Sequence, residues 1–199
     1  MKSDELPVTG SSRTVRLDNR QIRTLAHPLR TRLLGLLRAD GPATATTLAA
    51  LLHTNTGATS YHLRRLAEVG LVVEEPNLGT GRQRWWRAAH EASSWQHADF
   101  DDDPDANAAA DWIRRYQVRQ LTEYAERWLT AEHGYPRQWR DAATISDALL
   151  TISPQRLRAL NDELWQVITR YQDESTTDEP GAEQVLLFIA GFPRVEDTR

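Results

Sequence analysis

Between Asn19 and Leu66 the apolar residues recur at helical spacing, and after Gly70 that spacing changes. Asp18 with Gln21 three residues on has the form of a capping box, which predicts a helix starting near Asn19. Pro28 suits the first turn of a second helix over 27–39, in which Leu29, Leu33, Leu36 and Leu37 share a face. Gly41-Pro42 ends it. Thr44 can cap a short third helix carrying Leu48, Leu51 and Leu52; Thr54-Asn55-Thr56 then breaks that helix and caps a fourth. Gly70 suits the left-handed position past the end of the fourth. Leu71-Val72-Val73 reads as a strand, 76–81 as a loop of turn residues and 83–87 as a second strand. Helices followed by a two-stranded hairpin describe a winged helix-turn-helix over 18–90, with the hairpin as the wing.

The flanking segments differ. Residues 1–17 show no periodicity and read as a flexible arm, while 91–106 have few large aliphatics and include Asp99, Asp101, Asp102, Asp103 and Asp105, the composition of an acidic linker. A long helix follows over about 107–132, then a strand (145–152), a helix (154–172) and a strand (185–190), with a polar loop over 173–182. Leu157, Leu160, Leu164, Ile168 and Tyr171 make a stripe on that second helix. The fold class expected is mainly α with small β (α+β). A winged helix-turn-helix domain precedes a helical, α/β dimerisation unit over 107–192, which could also bind an effector.

Composition narrows the function. With 40% hydrophobic and 26% charged residues in 199, the chain is of ordinary globular kind. No apolar run is long enough to span a bilayer and no secretory signal pattern is present, so a soluble cytoplasmic protein without membrane contact is expected. The absence of cysteine excludes disulfides and thiolate metal sites. The net charge of −4 conceals a division: residues 11–90 hold 12 arginines against 5 acids, and residues 91–199 hold 11 against 21. A basic half joined to an acidic one suggests that the basic half meets a polyanion.

The fourth helix locates that contact. Thr59, Leu63 and Leu66 stand at i, i+4 and i+7 and should face the core. The opposite face then presents Gly57, Ser60, Tyr61 and Arg64, with Thr56 at the N-terminal end and Arg65 at the flank. Hydroxyls and guanidiniums hydrogen-bond base edges and phosphates, and an α-helix fits the major groove of duplex DNA. Gly57 lets the backbone come close. Arg82 and Arg84, in and beside the wing, can neutralise phosphates or enter a minor groove.

The segments LAHPLRTRLLGLL (25–37), TTLAALLHTNTGATSYHLRRLAEVGLV (46–72) and GRQRWWR (81–87), in this order, resemble the ArsR-type winged helix family of bacterial transcriptional regulators, over about residues 18–90. The resemblance implies a homodimer that binds a two-fold, pseudo-palindromic operator and represses. It also implies that the SYHLRRL helix reads the major groove, so Thr56, Gly57, Ser60, Tyr61, Arg64 and Arg65 inherit that role and Arg82 and Arg84 the wing role. The chain departs from the family in two ways: TTLAALLH holds none of the cysteines of metal-sensing members, and the acidic C-terminal half far exceeds the minimal domain. Cysteine-based metal sensing is therefore not expected.

Other side chains have plainer readings. His62, beside the buried face, reads as a packed histidine, and His27 as a helix cap before Pro28. Asp99, Asp101 and Asp103 alternate as in a calcium loop, but Pro104 stands where that loop needs glycine and Ala110 where it needs a bidentate glutamate. Trp112, Tyr116, Tyr124 and Trp128 on the long helix suit core or dimer interface and could line an effector pocket. No nucleophile, phosphate loop or zinc spacing points to an enzyme, and no cofactor is called for. Two alternatives stand beside the regulator: a winged-helix protein-interaction module, and a small-molecule sensor whose C-terminal half carries the main function.

Overall fold

The computed structural model describes residues 14–79, 83–174 and 180–195. The chain divides into two compact units, residues 1–122 and 123–199.

In the first unit the short segments β1 (Thr14–Arg16), α1 (Asn19–Leu25), α2 (Pro28–Ala39), β2 (Ala43–Thr44), α3 (Ala45–Leu51) and α4 (Thr56–Ala67) precede a hairpin of β3 (Val72–Glu74) and β4 (Trp85–Ala88). Local chemistry sets most of the boundaries. Asp18 accepts from the Gln21 N–H at 2.7 Å while the Gln21 side chain accepts from the Asp18 N–H at 3.0 Å, which closes the expected capping box on α1. His27 caps α2, its Nδ1 accepting from the Leu29 N–H at 3.1 Å, and Thr44 and Asn55 cap α3 and α4. Gly70 ends the α4 region with φ +72°, in the left-handed region where a side chain is strained. β4 is the middle strand of a three-stranded antiparallel sheet in the order β2-β4-β3, with Ala43 opposite Trp86 and Val72 opposite Ala88.

One contiguous core joins these elements. Ile22, Leu33, Leu34, Leu48, Leu63, Leu66, Leu71 and Trp86 are all buried in it. A fully buried Leu or Ile stabilises by about 1.5–3 kcal/mol relative to exposure, so this cluster dominates the stability of the unit.

Residues 91–106 are not the expected linker. β5 (Ala92–Ser94) pairs in parallel with β1, Val15 opposite Ser93, so residues 14–17 belong to the body and not to the arm; residues 1–13 lie outside the described part. Phe100, in a 3-10 turn over His97–Phe100, is 1% exposed within the core. Two of the five acids that suggested a linker are bound to the body. Asp99 meets Arg16 at 2.5 Å, and Asp103 meets Arg23 at 2.7 Å and the Asn19 amide at 3.0 Å. Asp103 also caps α5 (Pro104–Ala131) by accepting from the Ala106 N–H at 2.9 Å. That backbone donor, ahead of Arg23 and Asn19, holds the Asp103 carboxyl below its usual range, and the Arg16 hydrogen bond does the same for Asp99. Ala106, Ala109, Ala110 and Ile113 of α5 complete the core.

The second unit contains the end of α5, α6 (Arg137–Ala142) and α7 (Pro154–Glu174). None of its described residues is buried. On α7 the stripe is partly covered: Leu157, Leu160 and Ile168 are half-buried, whereas Leu164 and Tyr171 are exposed. The strands expected at 145–152 and 185–190 do not form. Neither segment lies in a hydrogen-bonded ladder, without which an apolar run has no strand geometry to hold, and Leu149 and Val185 are 77% and 70% exposed. No helix among the described residues is long and apolar enough to cross a membrane.

Candidate nucleic-acid interface

α4 presents two chemically distinct faces. Thr59, Leu63 and Leu66 are fully buried, and the Thr59 hydroxyl satisfies itself on the Asn55 carbonyl at 3.1 Å. Opposite them Thr56, Gly57, Tyr61, Arg64 and Arg65 are exposed, with Ser60 half-buried. The helix start is fixed by the Asn55 side chain, which accepts from the Ala58 N–H at 2.7 Å. A Cβ on Gly57 would come within 3.3 Å of that same side-chain oxygen, so glycine keeps the cap uncrowded.

The charged groups of this face differ in how far they are already neutralised. Arg65 pairs with Glu68 at 2.5 Å, Arg84 with Glu74 at 2.8 Å and Arg87 with Glu75 at 2.9 Å. These pairs are exposed enough that each contributes at most about 1 kcal/mol. Among the described residues the Arg64 guanidinium faces no carboxylate partner. Arg82 lies outside the described residues. In the wing, Gly79 has φ +82°, and a Cβ there would collide with the Trp85 indole, so glycine alone fits beside that ring.

Tyr61 is 54% exposed and sets its ring edge-on to His62 at 5.1 Å. His62 in turn lies on His27, ring centroids 4.4 Å apart. The His62 Nδ1 is buried with no hydrogen-bond partner among the described residues. Burial first, then the neighbouring charges, holds both imidazoles below the ordinary 6.5: Arg30 acts on His27, and His27 with Arg30 on His62. They are therefore neutral at pH 7. The sequence reading of His27 as a cap agrees with this arrangement, but their pairing joins residues 35 apart and has no periodic signature.

The basic half of the chain is also less available than its count implied. Arg38 is half-buried. It donates to the His90 carbonyl at 3.0 Å and to the Ser93 hydroxyl at 2.7 Å, and burial lowers its pKa to about 10. It ties α2 to β5 and to the residue His90 just before it. Arg16 and Arg23 are bound to aspartates.

The four aromatics of the long helix form separate pairs. Trp112 packs partly on the core and stacks on Tyr116 at 5.3 Å. In the second unit Tyr124 lies 6.4 Å from Phe188, and Trp128 lies 5.1 Å from Tyr135.

Comparison with known proteins gives a family for part of the chain. Residues 25–75 match the family model of a helix-turn-helix domain. No curated protein matches the chain. Among solved structures it is similar to the homodimeric winged helix-turn-helix DNA-binding domain of a possible ArsR-family transcriptional regulator from Mycobacterium bovis. The identity there is 23%, over 52% of this chain and 75% of that one, with a TM-score of 0.33. It is also similar to a possible transcriptional regulator for arsenical resistance (29% identity, 52% and 94% covered, TM-score 0.32). A MarR family regulator from Neisseria meningitidis shares 17% identity, with 76% and 78% covered and a TM-score of 0.28. Over residues 25–75 the chain thus carries a helix-turn-helix domain, and the β3–β4 hairpin that follows α4 gives it the form of a winged helix.

Proposed function

We propose that the chain is a sequence-specific, double-stranded-DNA-binding transcriptional regulator that acts as a homodimer and represses by occupying a pseudo-palindromic operator. The observation that carries this reading is α4. It is a capped helix whose buried face is fully committed and whose other face offers Tyr61, Arg64 and Arg65 next to a β wing. Tyr61, Arg64 and the helix start (Thr56, Gly57, Ser60) would meet base edges in the major groove, while Arg82 and Arg84 would meet phosphates from the wing. Arg65 and Arg84 would exchange a glutamate for a phosphate on binding. Two such helices about 34 Å apart would read successive major grooves. The unit after residue 106 would supply dimer contacts, and the protein would work in the cytoplasm without catalysis.

The test is selection of bound fragments from genomic DNA, with re-measurement of affinity across a salt series. An enriched inverted repeat, bound with an affinity that falls steeply as salt rises, is the expected result. No enrichment at any salt would reject the reading in favour of a protein-interaction module.

A further inference from the structure

Arg30 carries a charge that the winged-helix body holds in place without neutralising it. It lies in the first turn of α2 and is half-buried, and its Nε donates to the Thr24 carbonyl at the end of α1. No carboxylate pairs with it among the described residues. The charged and titratable groups around it are Tyr61 and Arg65 from α4 and the tilted ring pair of His27 and His62. Both imidazoles are neutral at pH 7, and a guanidinium cannot lose its proton near neutrality. Arg65 is paired with Glu68, so the uncompensated charge between α2 and the exposed face of α4 is that of Arg30. Placing a second cation close to Arg65 is unfavourable in the free protein, and an anion at this edge would relieve it.

We propose that Arg30 is a further DNA-contacting residue, a phosphate anchor at the edge of the face formed by Tyr61, Arg64 and Arg65. This rests on the DNA-binding reading above. The Thr24 carbonyl uses one donor of the guanidinium and restrains its side chain, and the terminal amino groups retain the fork geometry that suits a phosphate. Pinning reduces the side-chain entropy lost on binding. Arg65, Arg84 and Arg87 would each have to release a glutamate to make such a contact, whereas Arg30 displaces only counterions. A phosphate contact carries no base information, so it acts equally on every sequence.

The test uses the full chain and two fluorescent duplexes, one from the genomic selection and one unrelated, titrated at several KCl concentrations. Arg30→Gln is expected to weaken binding to both duplexes by roughly eightfold at 0.1 M salt. It should also reduce the slope of log affinity against log salt by about 0.9, the counterion release of one phosphate contact. Arg30→Lys should restore the slope. An unchanged slope in Arg30→Gln, or a loss confined to the selected duplex, would overturn the proposal while leaving DNA binding itself intact. Should Arg30→Gln melt at a lower temperature, Arg30→Lys decides: a retained slope supports the phosphate role, and a slope lost with the charge still present refutes it. Wild-type protein that binds neither duplex would remove the DNA-binding reading, and this proposal with it.

Discussion

Replacing Phe100 by alanine tests whether residues 91–106 belong to the winged-helix body. Phe100 is 1% exposed and sits in the same core as Leu17, Ile22 and Ile113. Burying about 150–200 Å² of aromatic surface at ~25 cal/mol per Å² stabilises by about 4 kcal/mol. Alanine retains a small part of this, but the cavity left behind adds to the cost, so Phe→Ala in a packed core costs about 3–5 kcal/mol. For a domain near 100 residues each kcal/mol moves the melting temperature by roughly 4 °C or more, which puts the expected drop at about 12–20 °C. Far-ultraviolet circular dichroism of the full chain on heating measures it. Asp102→Ala is the control, an exposed neighbour whose replacement should stay within about 0.5 kcal/mol. A Phe100→Ala chain that melts within about 2 °C of wild type would show that the segment is a linker after all.

Three further outcomes follow from buried or strained positions. Arg38→Ala strips the His90 carbonyl and Ser93 hydroxyl of their donor; chemical denaturation should show a loss of about 2–3 kcal/mol, and the salt dependence of DNA binding should be unchanged because this arginine is structural. His27 and His62 have folded-state pKa values below 6.5, so the unfolded chain binds more protons and stability should fall as pH drops through about 6.5. Asparagine at position 27 keeps the cap and removes one titrating group, so His27→Asn should flatten that fall between pH 7 and 5.5; an unaltered pH profile would contradict the burial of the pair. Gly79→Ala forces a side chain into φ +82° against Trp85, and melting should register about 1–3 kcal/mol, with a displaced Trp85 indole N–H signal in the NMR spectrum.

What the sequence disclosed was the local chemistry. The box of Asp18 and Gln21, the Thr44 and Asn55 caps, Gly70 and the inward triad of Thr59, Leu63 and Leu66 all act between residues a few positions apart, where spacing encodes geometry. Long-range partners left no such trace. The β1–β5 pair joins residues 78 positions apart, so Thr14–Arg16 read as an arm. Asp99 and Asp103 read as linker charge because their partners, Arg16 and Arg23, lie on elements some 80 residues earlier. Arg38 is among the twelve arginines counted over 11–90 because a half-buried, carbonyl-bound guanidinium has the same letter as a solvated one. Arg30 sits just off the leucine stripe of α2, and only the packing of that helix on α4 brings it to Tyr61. The strands expected at 145–152 and 185–190 rested on composition, which cannot supply a neighbour to pair with.

The way α5 is seated has a mechanical consequence. At 28 residues it is about 42 Å long, and its first ten residues are clamped to the core by Ala106, Ala109, Ala110 and Ile113. Alanines bring the helix axis close to the body and have no rotamers with which to absorb a tilt. Within the first unit about 13 Å of helix lies between Ile113 and Thr122, so a rotation of about 5° at the clamped end displaces Thr122 by roughly 1 Å. Torque applied at Thr122 likewise arrives as strain in a packed contact, with no slack to take it up. This first part of α5 is a stiff handle on the winged helix.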